Sequence, residues 1–218
     1  MVRRPLVRIT GVIVFVAGVC AASGARVEIS AFASNTLSGW QAKSFSGATS
    51  YNLVEDSNRT VLRAVSSNAA SGLVKKIRID LRKTPYVNWS WKIDNQLEGI
   101  DETVKKGDDY PARLYLVKSG GALVWRTKAL NYVWSSTQQR GSAWPNAFSP
   151  KNSAMLATRG VADTPGHWVV EKRNVREDFK KAFGVDIKRI DAVALMTDTD
   201  NTGRSARAYY GDIYFTAD

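Results

Sequence analysis

Runs in which apolar and polar residues alternate occur along most of this 218-residue chain. Glycine, serine, asparagine and proline separate the runs, which is the pattern of β-strands joined by turns. After residue 25 the sequence has no internal repeat, low-complexity segment or linker. The predicted strands are 27–33, 40–45, 51–55, 61–66, 73–81, 86–93, 110–117, 123–134, 154–158, 168–173, 190–197 and 206–215.

One segment has the period of a helix instead. Apolar residues between Val175 and Phe183 fall on one face. Asn174 is a suitable N-cap with Glu177 three residues later, and Gly184 provides the C-terminal stop. A single helix among many strands predicts an all-β fold, namely a β-sandwich of the jelly-roll or carbohydrate-binding-module type with one short helix.

The N-terminus has the features of an export signal. Basic residues precede the apolar run 9–19, which is too short for an ordinary membrane span, and Ser23-Gly24-Ala25 offers small residues before a cleavage point. Cys20 suggests a lipoprotein, but Val19 stands where such signals have a small residue, so this alternative is the weaker one. An uncleaved anchor is the other alternative. We expect 1–25 to be a signal peptide, 26–218 to be a single β-sandwich domain, and the location to be periplasmic or secreted.

Residues 26–218 contain 28 lysines and arginines against 20 acids, a net charge of +8, and no cysteine. No disulfide can form within this part, so its stability must come from a hydrophobic core. The basic residues are scattered, which is typical of a solvated surface. In an exported protein this charge suits anionic envelope components or acidic polysaccharide. We do not expect a nucleic-acid partner, or a stable membrane span after processing.

Polar side chains follow one face of the predicted strand 110–117. Strict alternation places Asp109, Arg113 and Tyr115 together on that face. The opposite, apolar face carries Tyr110, Ala112, Leu114 and Leu116. Asp109, Arg113 and Tyr115 therefore form a candidate hydrogen-bonding row.

Other predicted strands carry further charged and aromatic side chains. Glu171 and Arg173 share a face of the strand 168–173, and Trp91 and Trp134 lie in aromatic strands. If all rows meet on one sheet, they form a groove in which rings stack on sugars, while arginine and carboxylate groups bind hydroxyls or uronates. The sequence thus predicts a glycan-binding groove.

The same residues also have a purely structural interpretation. The arginines would form salt bridges with Asp109, Glu171 and Asp178, and the tryptophans would belong to the core. Asp178 lies beside the apolar face of the predicted helix, where it could bind Arg173. The sequence leaves both interpretations open.

The turn that follows strand 190–197 resembles the start of a calcium loop. Asp198, Asp200 and Thr202 occupy positions 1, 3 and 5, and Gly203 occupies position 6. Position 12 is Tyr209 and no helices flank the turn, so an EF-hand is excluded. A structural calcium ion is one expectation, and a turn closed by its own Asx side chains is the other.

Few residues support catalysis. His167 is the only histidine, and no serine-nucleophile motif of the G-x-S-x-G type is present. Carboxylate chemistry by Asp109 and Glu171 remains, as does a lyase that uses Tyr115 with His167. We leave enzymatic activity open and favour binding.

Five segments are distinctive in combination. They are PYVNWSWK (85–92), GDDYPARLY (107–115), LNYVW (130–134), EKRNV (171–175) and TDTDNTG (197–203). Together they resemble a bacterial family of exported domains of unknown function, DUF3047. The resemblance covers most of residues 26–218 and supplies no activity. It implies that Asp109, Arg113, Arg173, Asp198 and Asp200 are the residues to test.

Three functions are compatible with these features. The first is binding of a polysaccharide or cell-envelope glycan through a polar, aromatic sheet face. The second is a glycoside hydrolase or polysaccharide lyase on the same scaffold. The third is a non-catalytic envelope protein that contacts anionic components.

Overall fold

Fourteen strands and one α-helix make up residues 24–218, the part of the chain that the computed structural model describes. Residues 1–23 of the predicted signal peptide lie outside this part. The strands are β1 (Arg26–Glu28), β2 (Gln41–Ser46), β3 (Ser50–Asp56), β4 (Arg59–Ser67), β5 (Ala70–Asp80), β6 (Tyr86–Ile93), β7 (Tyr110–Lys118), β8 (Lys128–Trp134), β9 (Ala143–Pro145), β10 (Ser153–Arg159), β11 (Val169–Asn174), β12 (Arg189–Asp198), β13 (Ser205–Tyr210) and β14 (Tyr214–Thr216); the helix is α1 (Val175–Phe183).

The strands form two sheets of seven. In the first sheet, β6 pairs with β11 on one side and with β13 and β14 on the other; β4 and β3 follow β13, and β1 follows β14. The second sheet has the order β2-β5-β12-β7-β8-β10-β9. Among the strands of residues 24–218, neighbours are antiparallel except β8 with β10, which are parallel. The two sheets together make the predicted β-sandwich.

Aromatic side chains from both sheets fill the space between them. Trp89 of β6 stacks on Tyr132 of β8 with ring centroids 5.2 Å apart, and Trp91 lies 6.0 Å from Trp134. All four side chains are buried. Burial of such large rings contributes several kcal/mol each, on the order of 25 cal/mol per Å² of apolar surface. The predicted fold class is confirmed.

The helix forms where the sequence predicts it. The Asn174 side chain accepts a hydrogen bond from the Glu177 backbone N–H at 3.2 Å, and Gly184 ends the helix with φ of 68°. Val175 and Phe179 are buried in the core. Within residues 24–218, no helix has the length and apolar character needed to cross a membrane.

Two long predicted strands are divided or shortened. The segment 206–215 is interrupted at Gly211, whose N–H bonds the Ser90 carbonyl at 2.9 Å. A Cβ at Gly211 would lie 2.2 Å from the Ser90 hydroxyl, so a larger residue there would require the Ser90 side chain to move. The segment 123–134 is a strand only from 128, because a 3-10 turn at Val124–Arg126 occupies its start.

Candidate functional site

A β-bulge in β7 determines which side chains face outward from the second sheet. Tyr110 pairs with Asp198 and Arg113 with Met196, so two residues of β7 oppose the single Thr197 of β12. The bulge shifts the alternation by one residue. Tyr110 therefore lies on the same face as Arg113, with the guanidinium carbon 4.0 Å from the ring centroid. The expectation that Tyr110 joins Ala112, Leu114 and Leu116 in the main core is wrong for Tyr110.

Arg113 is buried and binds acidic and phenolic partners. Its Nη2 lies 2.7 Å from Asp198 Oδ2 and donates to the Asp108 carbonyl oxygen at 2.5 Å. Its Nη1 donates to the Tyr115 hydroxyl at 2.8 Å. Only 4% of Arg113 is exposed, so these contacts are shielded from water. The Arg113–Asp198 ion pair was not among the pairings predicted from the sequence.

Negative charge exceeds positive charge around Arg113. Burial, together with repulsion from Asp109, Asp108 and Asp200, raises the Asp198 pKa well above its usual value despite the attraction of Arg113. Burial and the Asp109 carboxylate also raise the Asp200 pKa. Burial alone lowers the Arg113 pKa, but Asp198 and its other neighbours raise it well above its ordinary value, so Arg113 stays charged. Asp198 Oδ1 is buried without a hydrogen-bond partner among the described residues.

A short loop brings an aromatic ring beside this network. Asn146 donates through Nδ2 to both oxygens of Asp108, at 3.1 and 3.0 Å. Its Oδ1 accepts the backbone N–H groups of Phe148 and Ser149, at 3.1 and 3.0 Å. This turn fixes the loop, and 55% of the Phe148 side chain stays exposed.

An open cavity of about 420 Å³ lies on this outer face, and we call it the Arg113 cavity. It extends from the edge strand β2 to the loop 146–149. Phe45, which is 64% exposed, lines it from β2, at a bulge in the pairing with β5. The other lining side chains used below are Asp108, Arg113, Tyr115, Asp198, Asp200 and Phe148.

Asp109 bonds to the turn after β12 instead of to Arg113. Its Oδ1 accepts from the backbone and side chain of Asn201, both at 3.1 Å. Its Oδ2 accepts from the Thr202 N–H at 2.7 Å and the Thr202 hydroxyl at 2.6 Å. Asp109 is fully buried, so the predicted row of Asp109, Arg113 and Tyr115 is divided between two networks. Alternation from Asp109 fails because the bulge lies between Asp109 and Arg113.

The calcium prediction involves the same turn. Oxygens of Asp109, Asp198 and Asp200 lie within 4.8 Å of one another. Carboxylate oxygens suit calcium, and the unpartnered Asp198 Oδ1 fits a ligand role. The Thr202 hydroxyl donates to Asp109, and each of the two Asp109 carboxylate oxygens already accepts two hydrogen bonds. The calcium ion predicted at Asp198, Asp200 and Thr202 stays a prediction, and in this structure the Thr202 hydroxyl is bonded to Asp109.

Glu171 and Arg173 lie at a second cavity, of about 340 Å³, which we call the Thr158 cavity. Glu171 binds Arg159 at 2.6 Å, and Arg173 binds Asp178 at 2.6 Å. The two cavities share no lining residue. The structure thus does not bring Glu171 and Arg173 together with Arg113, and both form the ion pairs of the structural interpretation.

The prediction that Trp91 and Trp134 contact a ligand is wrong, because both side chains are buried. Trp91 and Trp134 have no exposed surface and pack between the sheets, so neither presents a face to a ligand. The exposed rings at the Arg113 cavity are Phe45 and Phe148. Alternation places Trp91 and Trp134 each on one face of its strand. It does not show whether that face packs against the other sheet or lies open to a ligand.

The candidate catalytic residues do not share a cavity. Tyr115 lines the Arg113 cavity, and burial raises its pKa to about 12. Glu171 lines the Thr158 cavity, Asp109 is enclosed by the 201–202 turn, and His167 is exposed in the turn before β11. Asp109 and Glu171 therefore do not form the pair of facing carboxyls that hydrolysis requires.

Sequence reasoning missed four residues of the Arg113 cavity. Asp108 precedes Asp109 directly, and the bulge makes the earlier acid the neighbour of Arg113. Asn146 in the segment Pro145-Asn146-Ala147-Phe148-Ser149 carries an Asx-turn signal that could have identified the loop. Phe45 and Phe148 have no distinctive sequence signal.

Among solved structures, this chain is similar to the family 30 carbohydrate-binding module of the cellulosomal cellulase Cel9D-Cel44B of Clostridium thermocellum, at 12% identity and a TM-score of 0.45, over 83% of this chain and 92% of that one. It is similar to the xyloglucanase domain of NopAA from Sinorhizobium fredii, at 9% identity and a TM-score of 0.45, over 84% and 96% of the two chains. The glycoside hydrolase domain of Endo-D from Streptococcus pneumoniae R6 matches at 9% identity and a TM-score of 0.38, over 82% of this chain but only 21% of that chain's length. At identities and TM-scores this low, the likenesses carry no argument about a ligand or an activity.

No curated protein matches this chain. A family model described as "Protein of unknown function (DUF3047)" matches residues 38–214. The match includes β2 to β13 and every residue that lines the Arg113 cavity. It confirms the resemblance seen in the sequence, and this chain belongs to the DUF3047 family.

Proposed function

We propose that this protein binds a neutral glycan in the Arg113 cavity. The observation that carries the proposal is that two exposed phenyl rings, Phe45 and Phe148, line an open cavity whose floor is a buried polar network. Aromatic rings offer an apolar surface to the C–H face of a pyranose ring, and a few fixed polar groups orient the hydroxyls.

The charge balance supports a neutral ligand rather than an acidic one. Arg113 is already paired with Asp198, with Asp108 nearby at 3.7 Å. Asp109 and Asp200 add further negative charge. A uronate would meet the carboxyl groups of Asp108, Asp198 and Asp200 here, whereas sugar hydroxyls can donate to the partly exposed Asp200. The polar groups therefore act mainly as acceptors.

The network also holds the site rigid before a ligand arrives. The turn closed by the Asn146 side chain positions Phe148. The hydrogen bonds that Asp109 accepts position the 201–202 turn beside Asp200. Preorganised contacts cost less conformational entropy on binding. This arrangement supports a binding protein.

Phe45→Ala and Phe148→Ala test the proposal directly. Binding of neutral oligosaccharides is measured by calorimetry on the wild type and on both variants. We expect each variant to weaken binding by about three- to tenfold, because one stacking contact contributes about 0.5–1.5 kcal/mol. Trp125→Ala is the matched control, since Trp125 is also 64% exposed but does not line the cavity.

Two results would refute the proposal. The first is that no neutral oligosaccharide binds the folded protein. The second is that both phenylalanine variants, and the double variant, stay folded and bind as tightly as Trp125→Ala.

A further inference from the structure

The Thr158 cavity lies between the two sheets' neighbouring edges and the helix. Thr158 lines it from β10, Arg140 from the loop before β9, Glu171 and Arg173 from β11, and Lys181 from α1. The cavity is thus built by elements that are far apart in the sequence. Its volume of about 340 Å³ is large enough for a small organic molecule.

The charged groups at this cavity leave an excess of positive charge. Glu171 is bound to Arg159, which also contacts Asp163 outside the cavity. Asp178 is bound to Arg173 and accepts the Tyr132 hydroxyl at 2.8 Å. Asp178 is thus paired with a lining arginine, Glu171 shares Arg159 with Asp163, and the four lining cations outnumber the two lining carboxylates.

Two other cations at the cavity make no close ion pair, although the Arg140 charge is near enough to Glu171 to oppose the rise of its pKa that burial causes. Within residues 24–218, neither Arg140 nor Lys181 makes an ion pair within 4.0 Å, and both are exposed. Lys172 also lines the cavity, but its ammonium lies 5.0 Å from the centroid of the Tyr86 ring. Arg140 and Lys181 are the groups available to an anion.

A buried hydroxyl at the same cavity lacks a partner. Thr158 lies at a β-bulge, because Ala157 pairs with Val133 and Arg159 with Trp134. Only 5% of Thr158 is exposed, and its Oγ1 makes no hydrogen bond among the described residues. An unpaired buried hydroxyl is costly, and a ligand oxygen would satisfy it.

The remaining walls are apolar. They include Leu130, Ala143, Met155, Leu156, Ala157 and Ala182. Such walls favour a ligand with a carbon skeleton over a bare inorganic ion.

We propose that the Thr158 cavity binds the oxyanion of a small organic molecule, a carboxylate or a phosphate ester. Arg140 and Lys181 bind the charged group, and the Thr158 hydroxyl donates to one of its oxygens. This site is independent of the Arg113 cavity, which is rich in acids and suits a neutral ligand. The protein would then carry two sites with different preferences, one for a neutral ligand and one for an anion.

The experiment compares three ligands that share one ring. Glucose is neutral, glucuronate carries a carboxylate, and glucose 6-phosphate carries a phosphate ester. Binding to the whole protein is measured by calorimetry and by thermal denaturation at constant ionic strength. We expect glucuronate, glucose 6-phosphate or both to bind saturably, and glucose not to bind this site.

Variants that each remove one positive charge test whether the anion binds at the Thr158 cavity. We expect Arg140→Gln and Lys181→Gln each to weaken binding of the anion by about three- to tenfold. Thr158→Val keeps the side-chain shape and is expected to weaken binding without loss of stability. Lys180→Gln is the matched control, because it removes the same charge from the same turn of α1 but does not line the cavity.

The outcomes separate the alternatives. Preference for glucuronate or for glucose 6-phosphate identifies which oxyanion the site takes. The proposal is overturned if neither anion binds saturably, or if Lys180→Gln weakens binding as much as Lys181→Gln. Failure here leaves neutral-glycan binding untouched, because that is tested by Phe45→Ala, which should not change binding of the anion.

Discussion

The carboxyl group of Glu102 should make the stability of this protein depend on pH. Glu102 is fully buried in the segment before β7. Its Oε2 accepts the Ser135 hydroxyl, and its Oε1 accepts the Ser136 N–H at 2.6 Å. Burial raises its pKa from 4.5 to about 7, although these hydrogen bonds and the Arg113 charge oppose the rise.

The sign and size of the effect follow from this shift. The folded state binds the proton more tightly than the unfolded state, so the contribution of Glu102 to stability is complete below about pH 4.5. It is lost as the pH rises through about 7. The rise from 4.5 to about 7 corresponds to about 3 kcal/mol. Glu102→Gln cannot ionise and should not lose this contribution.

Urea unfolding of the wild type and of Glu102→Gln at about pH 4.5 and about pH 8 measures the effect. The relevant quantity is the difference in unfolding free energy between variant and wild type, because other titrating groups cancel in it. We expect this difference to move by about 3 kcal/mol in favour of the variant at the higher pH. Glu98→Gln, at an exposed position in the same loop, controls for the loss of one negative charge.

One result would contradict the reasoning. If the difference between Glu102→Gln and the wild type is equal at both pH values, burial does not hold the Glu102 proton. A shift in the opposite direction would mean that the hydrogen bonds from Ser135 and Ser136 outweigh desolvation.

Four further predictions rest on single contacts. Gly72→Ala should destabilise the protein by about 1–3 kcal/mol in urea unfolding, because a Cβ would lie 2.6 Å from the Leu195 carbonyl oxygen of the neighbouring strand; an unchanged midpoint would contradict this. Asp109→Asn should lower the unfolding free energy by about 3 kcal/mol in the same assay, since an amide cannot accept all four hydrogen bonds from residues 201–202. A decrease below about 1 kcal/mol would contradict this role of Asp109. Asn174→Ala should cost about 1 kcal/mol by removing the helix cap, whereas Lys180→Ala on the same helix serves as the control. Millimolar calcium should raise the melting temperature of the wild type but not of Asp200→Asn, and equal shifts would exclude a calcium site at Asp198 and Asp200.

Local signals predicted the elements well wherever the structure depends on neighbours in sequence. The cap at Asn174 and the stop at Gly184 define the helix through backbone groups within one turn. Alternation identified most strands, including β7 with Ala112, Leu114 and Leu116 in the core. These features arise from short-range sterics and hydrogen bonding.

The site was harder to predict because single-residue irregularities change which face a side chain occupies. The bulge at Pro111 and Ala112 moves Tyr110 to the face of Arg113, and the bulge at Thr158 lies where that residue lines a cavity. Bulges have no reliable sequence signature here, because they depend on the register of the partner strand.

The sequence by itself determined the all-β class, the single helix, the basic charge and the family of this protein. It also identified Arg113 and Tyr115 as members of a polar row, and Asp198 as a candidate metal ligand in the turn after β12. Only the tertiary structure decided that Trp91 and Trp134 are core residues, that Phe45 and Phe148 are the exposed rings, and that Glu171 and Arg173 lie at a separate cavity. The physical reason is that strand period and capping are local properties, whereas burial and charge pairing depend on which strands meet across and within the two sheets.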